Sequence, residues 1–134
     1  MARYLLDTNH LGAALDDISA IREQIYRSRL SGHRFGTWLP VLCELEAGLY
    51  HTRRRAHNRR VLSTLLRQIR VWPLELEIAP IYAEIFHDLR ANGRVLSQVD
   101  MLLAAMTRSM NATLLTSDRD FDAVAHIHVE NWLI

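Results

Sequence analysis

Arg3-Tyr4-Leu5-Leu6-Asp7-Thr8-Asn9 opens the chain with a short apolar run that stops on a carboxylate. Thr113-Leu114-Leu115-Thr116-Ser117-Asp118 repeats that pattern near the other end. Short apolar runs bounded by polar turn formers read as strands buried on both faces, the kind that parallel sheets contain. Parallel neighbours need helical crossovers, and the chain between the two runs supplies them. Residues 9–15 and 18–30 read as helical. Pro40 suits the first turn of a helix reaching Tyr50. Over 53–69, Val61, Leu62, Leu65, Leu66 and Ile69 share one face. A helix over 78–91 stops at Asn92-Gly93, a good C-cap pair, and another covers 97–110. Further short strands are expected at 35–38, at 71–74 (where Pro73 argues for a strand end) and within 126–132. Strands spaced by helices predict an α/β domain with a mainly parallel sheet.

At 134 residues the chain has room for one domain, 1–134, and its 49% apolar and 23% charged residues are ordinary for a globular protein. The single cysteine, Cys43, excludes a disulfide framework and a cysteine-rich zinc site, and it reads as a small buried hydrophobe. The seven histidines are scattered and suggest no histidine metal site. Trp38, Trp72 and Trp132 read as core or interface. No apolar run approaches the ~20 residues of a membrane span, and the N-terminus lacks the apolar core of a signal peptide. A cytoplasmic protein is expected.

Net charge is only +1, but it is unevenly spread. Residues 1–50 sum to −1, 51–70 to +7 and 71–134 to −5, and all sixteen basic residues are arginine. Arginine is the better fork for phosphate. Arg53, Arg60 and Arg67, seven apart, would form one helical stripe able, with Arg54, Arg55 and Arg59 nearby, to track a phosphate backbone. A solvated face, or a seat for an acidic partner segment, would use the same residues.

Four acids carry the chemistry. Asp7 and Asp118 each follow a strand directly, and ligands of open α/β sheets bind beyond the carboxyl ends of strands. Glu44 and Asp100 each sit among apolar neighbours on expected helices. Burying a lone carboxylate is costly, so such acids need a partner. A hard divalent cation relieves the repulsion of several gathered carboxylates, and Mg²⁺ takes oxygen ligands while keeping waters. Blander roles exist: Asp7 as a helix N-cap, Asp118-Arg119-Asp120 as a turn, and the helical acids as exposed residues.

Leu5-Leu6-Asp7-Thr8-Asn9, Cys43-Glu44-Leu45-Glu46-Ala47-Gly48, Val99-Asp100-Met101-Leu102-Leu103-Ala104-Ala105 and Leu115-Thr116-Ser117-Asp118-Arg119-Asp120-Phe121 together resemble the four motifs of PIN-domain nucleases. They stand in family order over nearly the whole chain. More narrowly the sequence resembles VapC-type toxins of bacterial type II toxin–antitoxin pairs, as does the ending Val129-Glu130-Asn131-Trp132. The resemblance implies a three-layer α/β/α sandwich and an endoribonuclease using Mg²⁺, with Mn²⁺ able to substitute. It implies Asp7 and Asp100 as principal metal ligands, with Glu44 and Asp118 completing the acidic cluster. Thr8, Asn9, Thr116 and Ser117 would orient those ligands or the attacking water. Asp120 competes with Asp118 for the fourth place, and Asp118 is preferred because it lies closer to the strand end. Val99 departs from the pattern, since many relatives carry asparagine before the third-motif acid. The implied reaction is hydrolysis of RNA by metal-activated water, leaving a 5′-phosphate and a 3′-hydroxyl. The implied partners are an RNA substrate (tRNA, rRNA or mRNA), a VapB-type antitoxin and a second copy of the chain in a homodimer. Two other readings compete: a PIN-like nuclease in RNA processing without a toxin role, and a catalytically silent binding module.

Overall fold

Leu5, Leu6, Leu114 and Leu115 are all fully buried, so the two runs that end on aspartates form the covered centre of a sheet. The computed structural model describes residues 1–133. In chain order the elements are β1 (Arg3–Leu6), α1 (Thr8–Ala14), α2 (Ile21–Leu30), β2 (Arg34–Thr37), α3 (Leu39–Leu49), α4 (Arg55–Leu65), β3 (Arg70–Val71), α5 (Ile78–Ala91), α6 (Gln98–Met110), β4 (Thr113–Leu115), a 3-10 turn (Arg119–Ala123) and β5 (His128–Glu130). The strands pair in the order β3-β2-β1-β4-β5, every neighbour parallel. Right-handed crossovers then send α1 to α4 to one face and α5 with α6 to the other. The packing agrees: α1 touches α2 and α3, α3 touches α4, and α5 lies along α6. This is the α/β/α sandwich with a parallel central sheet that the sequence predicts.

The strand order has a consequence for function. From β1 the chain builds outward through β2 and β3, then crosses back to β4 on the other side of β1. The switch point therefore falls between β1 and β4, and a crevice opens beyond their carboxyl ends. Asp7 and the segment 116–118 leave the sheet at that place. The two chains are tied there by the Asp7 main-chain N–H, which donates to the Leu115 carbonyl at 3.0 Å.

Local signals set some of the helix ends. Ser97 caps α6 by accepting from the Asp100 N–H at 3.1 Å. Gly93 adopts φ +67° just after α5, a conformation that suits glycine. Gly36 has a different reason to be glycine: a Cβ there would lie 2.5 Å from the Trp72 indole. The Trp72 ring packs on that bare backbone, so Gly36→Ala must displace it. We expect a loss of roughly 1–3 kcal/mol, the usual cost of overpacking, read by urea denaturation.

Three expectations need correction. The helix expected over 53–69 is shorter: α4 begins at Arg55, and Arg53 and Arg67 lie in turns on either side of it. The chain turns at 66–69 to bury Ile69 and feed β3, so tertiary packing overrides the helical pattern. Arg53, Arg60 and Arg67 are all exposed, but they are not one stripe of one helix. The strand expected at 71–74 is Arg70–Val71, because the chain leaves the sheet ahead of Pro73. Cys43 is exposed, not buried. The inward positions of α3 are Val41 and Leu49, with Leu45 half-buried between them, and that spacing turns residue 43 outward. Of the tryptophans, Trp38 is buried, while Trp72 and Trp132 are half-buried against the core.

Candidate active site

Asp7 caps α1. Its Oδ1 accepts from the Thr8 N–H at 2.8 Å, and its Oδ2 accepts from the Thr116 hydroxyl at 2.8 Å. One hydrogen bond comes from the segment after β1 and the other from the segment after β4, so the carboxylate bridges the switch point. Burial is the main influence that raises the Asp7 pKa above the ordinary carboxylate value. The hydrogen bonds from Thr116 and Thr8 oppose the rise, and the negative charges of Asp118 and Glu44 add to it.

Asp100 stands in the first turn of α6. Its pKa is also raised, first by burial and then by Asp118, Asp7 and Asp120, with Ser97 opposing. Glu44, exposed on α3, accepts a hydrogen bond from the Thr8 hydroxyl. Asp118 caps the 3-10 turn, its Oδ1 accepting from the Asp120 N–H at 2.9 Å. The Asp118 charge thus bears on both Asp7 and Asp100, the Asp7 charge bears on Asp100, Glu44 adds to the effect at Asp7 and Asp120 to that at Asp100. The Asp118 charge bears on both central acids, which favours it over Asp120.

Among the described residues none of these acids pairs with an arginine or histidine. The repulsion is left uncompensated by the chain. No three acidic, histidine or cysteine side chains among the described residues form a ready-made metal cage. The donor set is all carboxylate and open to solvent on one side, which fits a Mg²⁺ that is held by one or two carboxylates and keeps its other waters. It does not fit a closed tetrahedral zinc site.

Asn9, Thr116 and Ser117 line the same crevice. The Asn9 amide donates to Thr116 Oγ1 at 3.3 Å, and Asn9 Oδ1 accepts from the Ser117 N–H at 3.1 Å. A groove of about 560 Å³ has Thr8, Asp16, Asp17, Glu44, Arg54 and Asn58 among its lining residues. Arg54, named in the sequence only as a neighbour of the arginine stripe, lines this groove and pairs with Asp17 at 3.8 Å. One feature was missed in the sequence: His10, fully buried on α1. Its spacing to the buried Leu11 and Ala14 marks the inward face of that helix, a signal present in the sequence.

The family model described as the PIN domain matches residues 4–127, nearly the whole chain. The chain belongs to the PIN-domain family. This PIN domain is similar to Ribonuclease VapC2 of Rickettsia felis, at 26% identity over 93 residues, 69% of each chain. Its fold matches that of VapBC2 from Rickettsia felis, solved bound to a DNA fragment from their promoter, with a TM-score of 0.83 and 22% identity over 97% of this chain and 98% of that one. DNA-bound VapBC from Salmonella typhimurium gives 0.80 at 22% identity, covering 98% and 99%. Of the acids in the four motif-like stretches, Asp118 and Glu44 bear electrostatically on Asp7, and Asp118 and Asp7 bear on Asp100.

Proposed function

We propose that this PIN domain is a Mg²⁺-dependent endoribonuclease and the toxin of a VapBC-type pair, cytoplasmic and homodimeric, with Mn²⁺ able to replace Mg²⁺. One observation carries the reading. Asp7, at the sheet's switch point, and Asp100, in the first turn of α6, both have raised proton affinity, the Asp7 charge bears on Asp100, and neither has a cationic partner among the described residues. Family membership and the likeness to a protein named as a ribonuclease support the nuclease. The match in fold to toxin–antitoxin complexes supports a VapB-type partner. No helix among the described residues is long and apolar enough to cross a membrane.

Asp7 and Asp100 would hold the ion directly, and Glu44 and Asp118 would complete the acidic rim, directly or through water. A bound Mg²⁺ supplies an activated water and offsets the charge that develops on the phosphoryl oxygens. The protein's part is orientation. Thr116 aims the Asp7 carboxylate, Thr8 anchors Glu44, and Asn9 with Ser117 fixes the segment after β4. Hydrolysis by water would leave a 5′-phosphate and a 3′-hydroxyl, with no role for the 2′-hydroxyl as nucleophile.

The RNA would run along the groove from the acids toward Arg54 and Asn58. Arg59 is taken up by Glu46 at 2.6 Å, Arg55 lies over the Tyr50 ring, and Arg54 pairs with Asp17 at 3.8 Å, a contact that a phosphate would have to displace. Arg53, Arg60 and Arg67 keep no acidic partner among the described residues, so they remain free for phosphates beyond the groove. Arg54→Ala should weaken RNA binding and lower the slope of log affinity against log salt by about 1, as expected for one lost phosphate contact. Fluorescence anisotropy at several salt concentrations measures it.

The caps made by Asp7 and Asp118 favour the silent-module reading. Capping takes one oxygen of each carboxylate, however, and leaves the other lone pairs for a ligand. A cleavage assay on antitoxin-free protein decides between the readings. It would offer total tRNA, rRNA, mRNA and single-stranded DNA with Mg²⁺, Mn²⁺ or EDTA. Metal-dependent cutting of RNA is expected. Metal-independent cutting, or none, would set the proposal aside.

A further inference from the structure

Both ring nitrogens of His10 are engaged within the core. The Trp132 N–H meets Nε2 at 2.9 Å. A main-chain N–H only donates, so Nε2 carries no proton. Nδ1 therefore holds the ring's proton and donates it to Asn9 Oδ1 at 2.7 Å. That bond orients the Asn9 amide, whose NH₂ then faces Thr116 Oγ1. Thr116 Oγ1 also receives the Asp118 N–H at 3.1 Å. With two donors on its oxygen, the Thr116 hydroxyl sends its own proton to Asp7 Oδ2. Each bond fixes the polarity of the next, from a main-chain donor near the C-terminus to the central carboxylate.

We propose that His10 is a positioning residue of the nuclease site, which couples the main chain at Trp132 through Asn9 and Thr116 to Asp7. This rests on the nuclease reading above. His10 touches neither substrate nor ion; it sets the Asn9 amide, and the amide sets the hydroxyl that aims Asp7. Burial keeps the ring neutral by lowering its pKa to about 4, so the tautomer holds at physiological pH. A flipped Asn9 amide would point its NH₂ at the Nδ1–H and the Ser117 N–H, setting donor against donor.

Two measurements test this. Long-range ¹H–¹⁵N NMR of ¹⁵N-histidine-labelled protein should show His10 with a protonated Nδ1 and a bare Nε2 between pH 6 and 8. The opposite tautomer, or a charged ring, would overturn the proposal. In kinetics, His10→Phe and Asn9→Ala should each lower kcat about tenfold to a hundredfold, with KM changed less than about twofold. The double variant should be no slower than the slower single one, because the two residues act in one chain. Multiplying losses would contradict the coupling. His10→Gln keeps an acceptor for the Trp132 N–H and serves if His10→Phe does not fold. Mn²⁺ affinity, read alongside, should fall about tenfold in each variant. If the wild type cuts no RNA, the nuclease reading fails, while the tautomer and Mn²⁺ results still decide whether His10 positions Asp7.

Discussion

Asp7→Asn should lower the rate of RNA cleavage by roughly 10³-fold while leaving the fold intact. One charged ligand at the centre of the site is lost, and losses of this order follow removal of a single group that stabilises developing charge. The substitution also disturbs the local hydrogen bonds in a defined way. Asp7 presents one oxygen to the Thr8 N–H and one to the Thr116 hydroxyl. An amide can present only one oxygen, so one of the two donors loses its acceptor. That costs about 1 kcal/mol, and the relief of a half-buried charge offsets it. Thermal stability without metal should therefore change by only a few degrees while activity disappears. Cleavage within tenfold of the wild type would remove Asp7 from the centre of the mechanism.

Asp100→Asn should do something less intuitive: stabilise the metal-free protein at neutral pH. The Asp100 pKa is raised by burial and by Asp118, Asp7 and Asp120. A carboxyl whose folded pKa lies above its unfolded value favours folding while it is protonated, below the ordinary carboxylate pKa near 4. That contribution is lost as pH rises through the raised folded pKa, so at pH 7 the ionised group opposes folding. An amide removes the penalty. The first turn of α6 favours a negative charge there and returns part of it. The expected net gain in Tm at pH 7 is a few degrees, shrinking toward pH 4. The wild type should be stabilised by Mn²⁺ and the variant should not. A lower Tm at pH 7 with an unchanged Mn²⁺ response would show that the carboxylates do not share an ion.

The centre of the fold was legible because its signals are local. Leu5-Leu6 and Leu114-Leu115 are apolar runs that end on acids, and a parallel sheet buried on both faces needs such runs. The Asn92-Gly93 stop is likewise written in two neighbouring residues. The arginines were not legible in this way. A spacing of seven implies one face only if the helix persists, and α4 stops where Ile69 must be buried. Cys43 misled because its apolar neighbours suggest burial, although α3 turns that position outward. The acids proposed for the site come from the resemblance, whereas hydrogen bonds between residues more than a hundred positions apart, such as Thr116 to Asp7, are products of topology. The spacing of His10 marks the inward face of α1, but its role was not legible because its partner Trp132 lies 122 positions away.

Asp7, Asp100 and Asp118 are proposed to converge on one divalent cation, and paramagnetic Mn²⁺ titrated into ¹⁵N-labelled, antitoxin-free protein reads that convergence residue by residue. The amide signals of residues 7–9, 100 and 116–118 should broaden first and together, at substoichiometric Mn²⁺, and Mg²⁺ should restore them. Broadening centred elsewhere, or none in that crevice, would contradict the account.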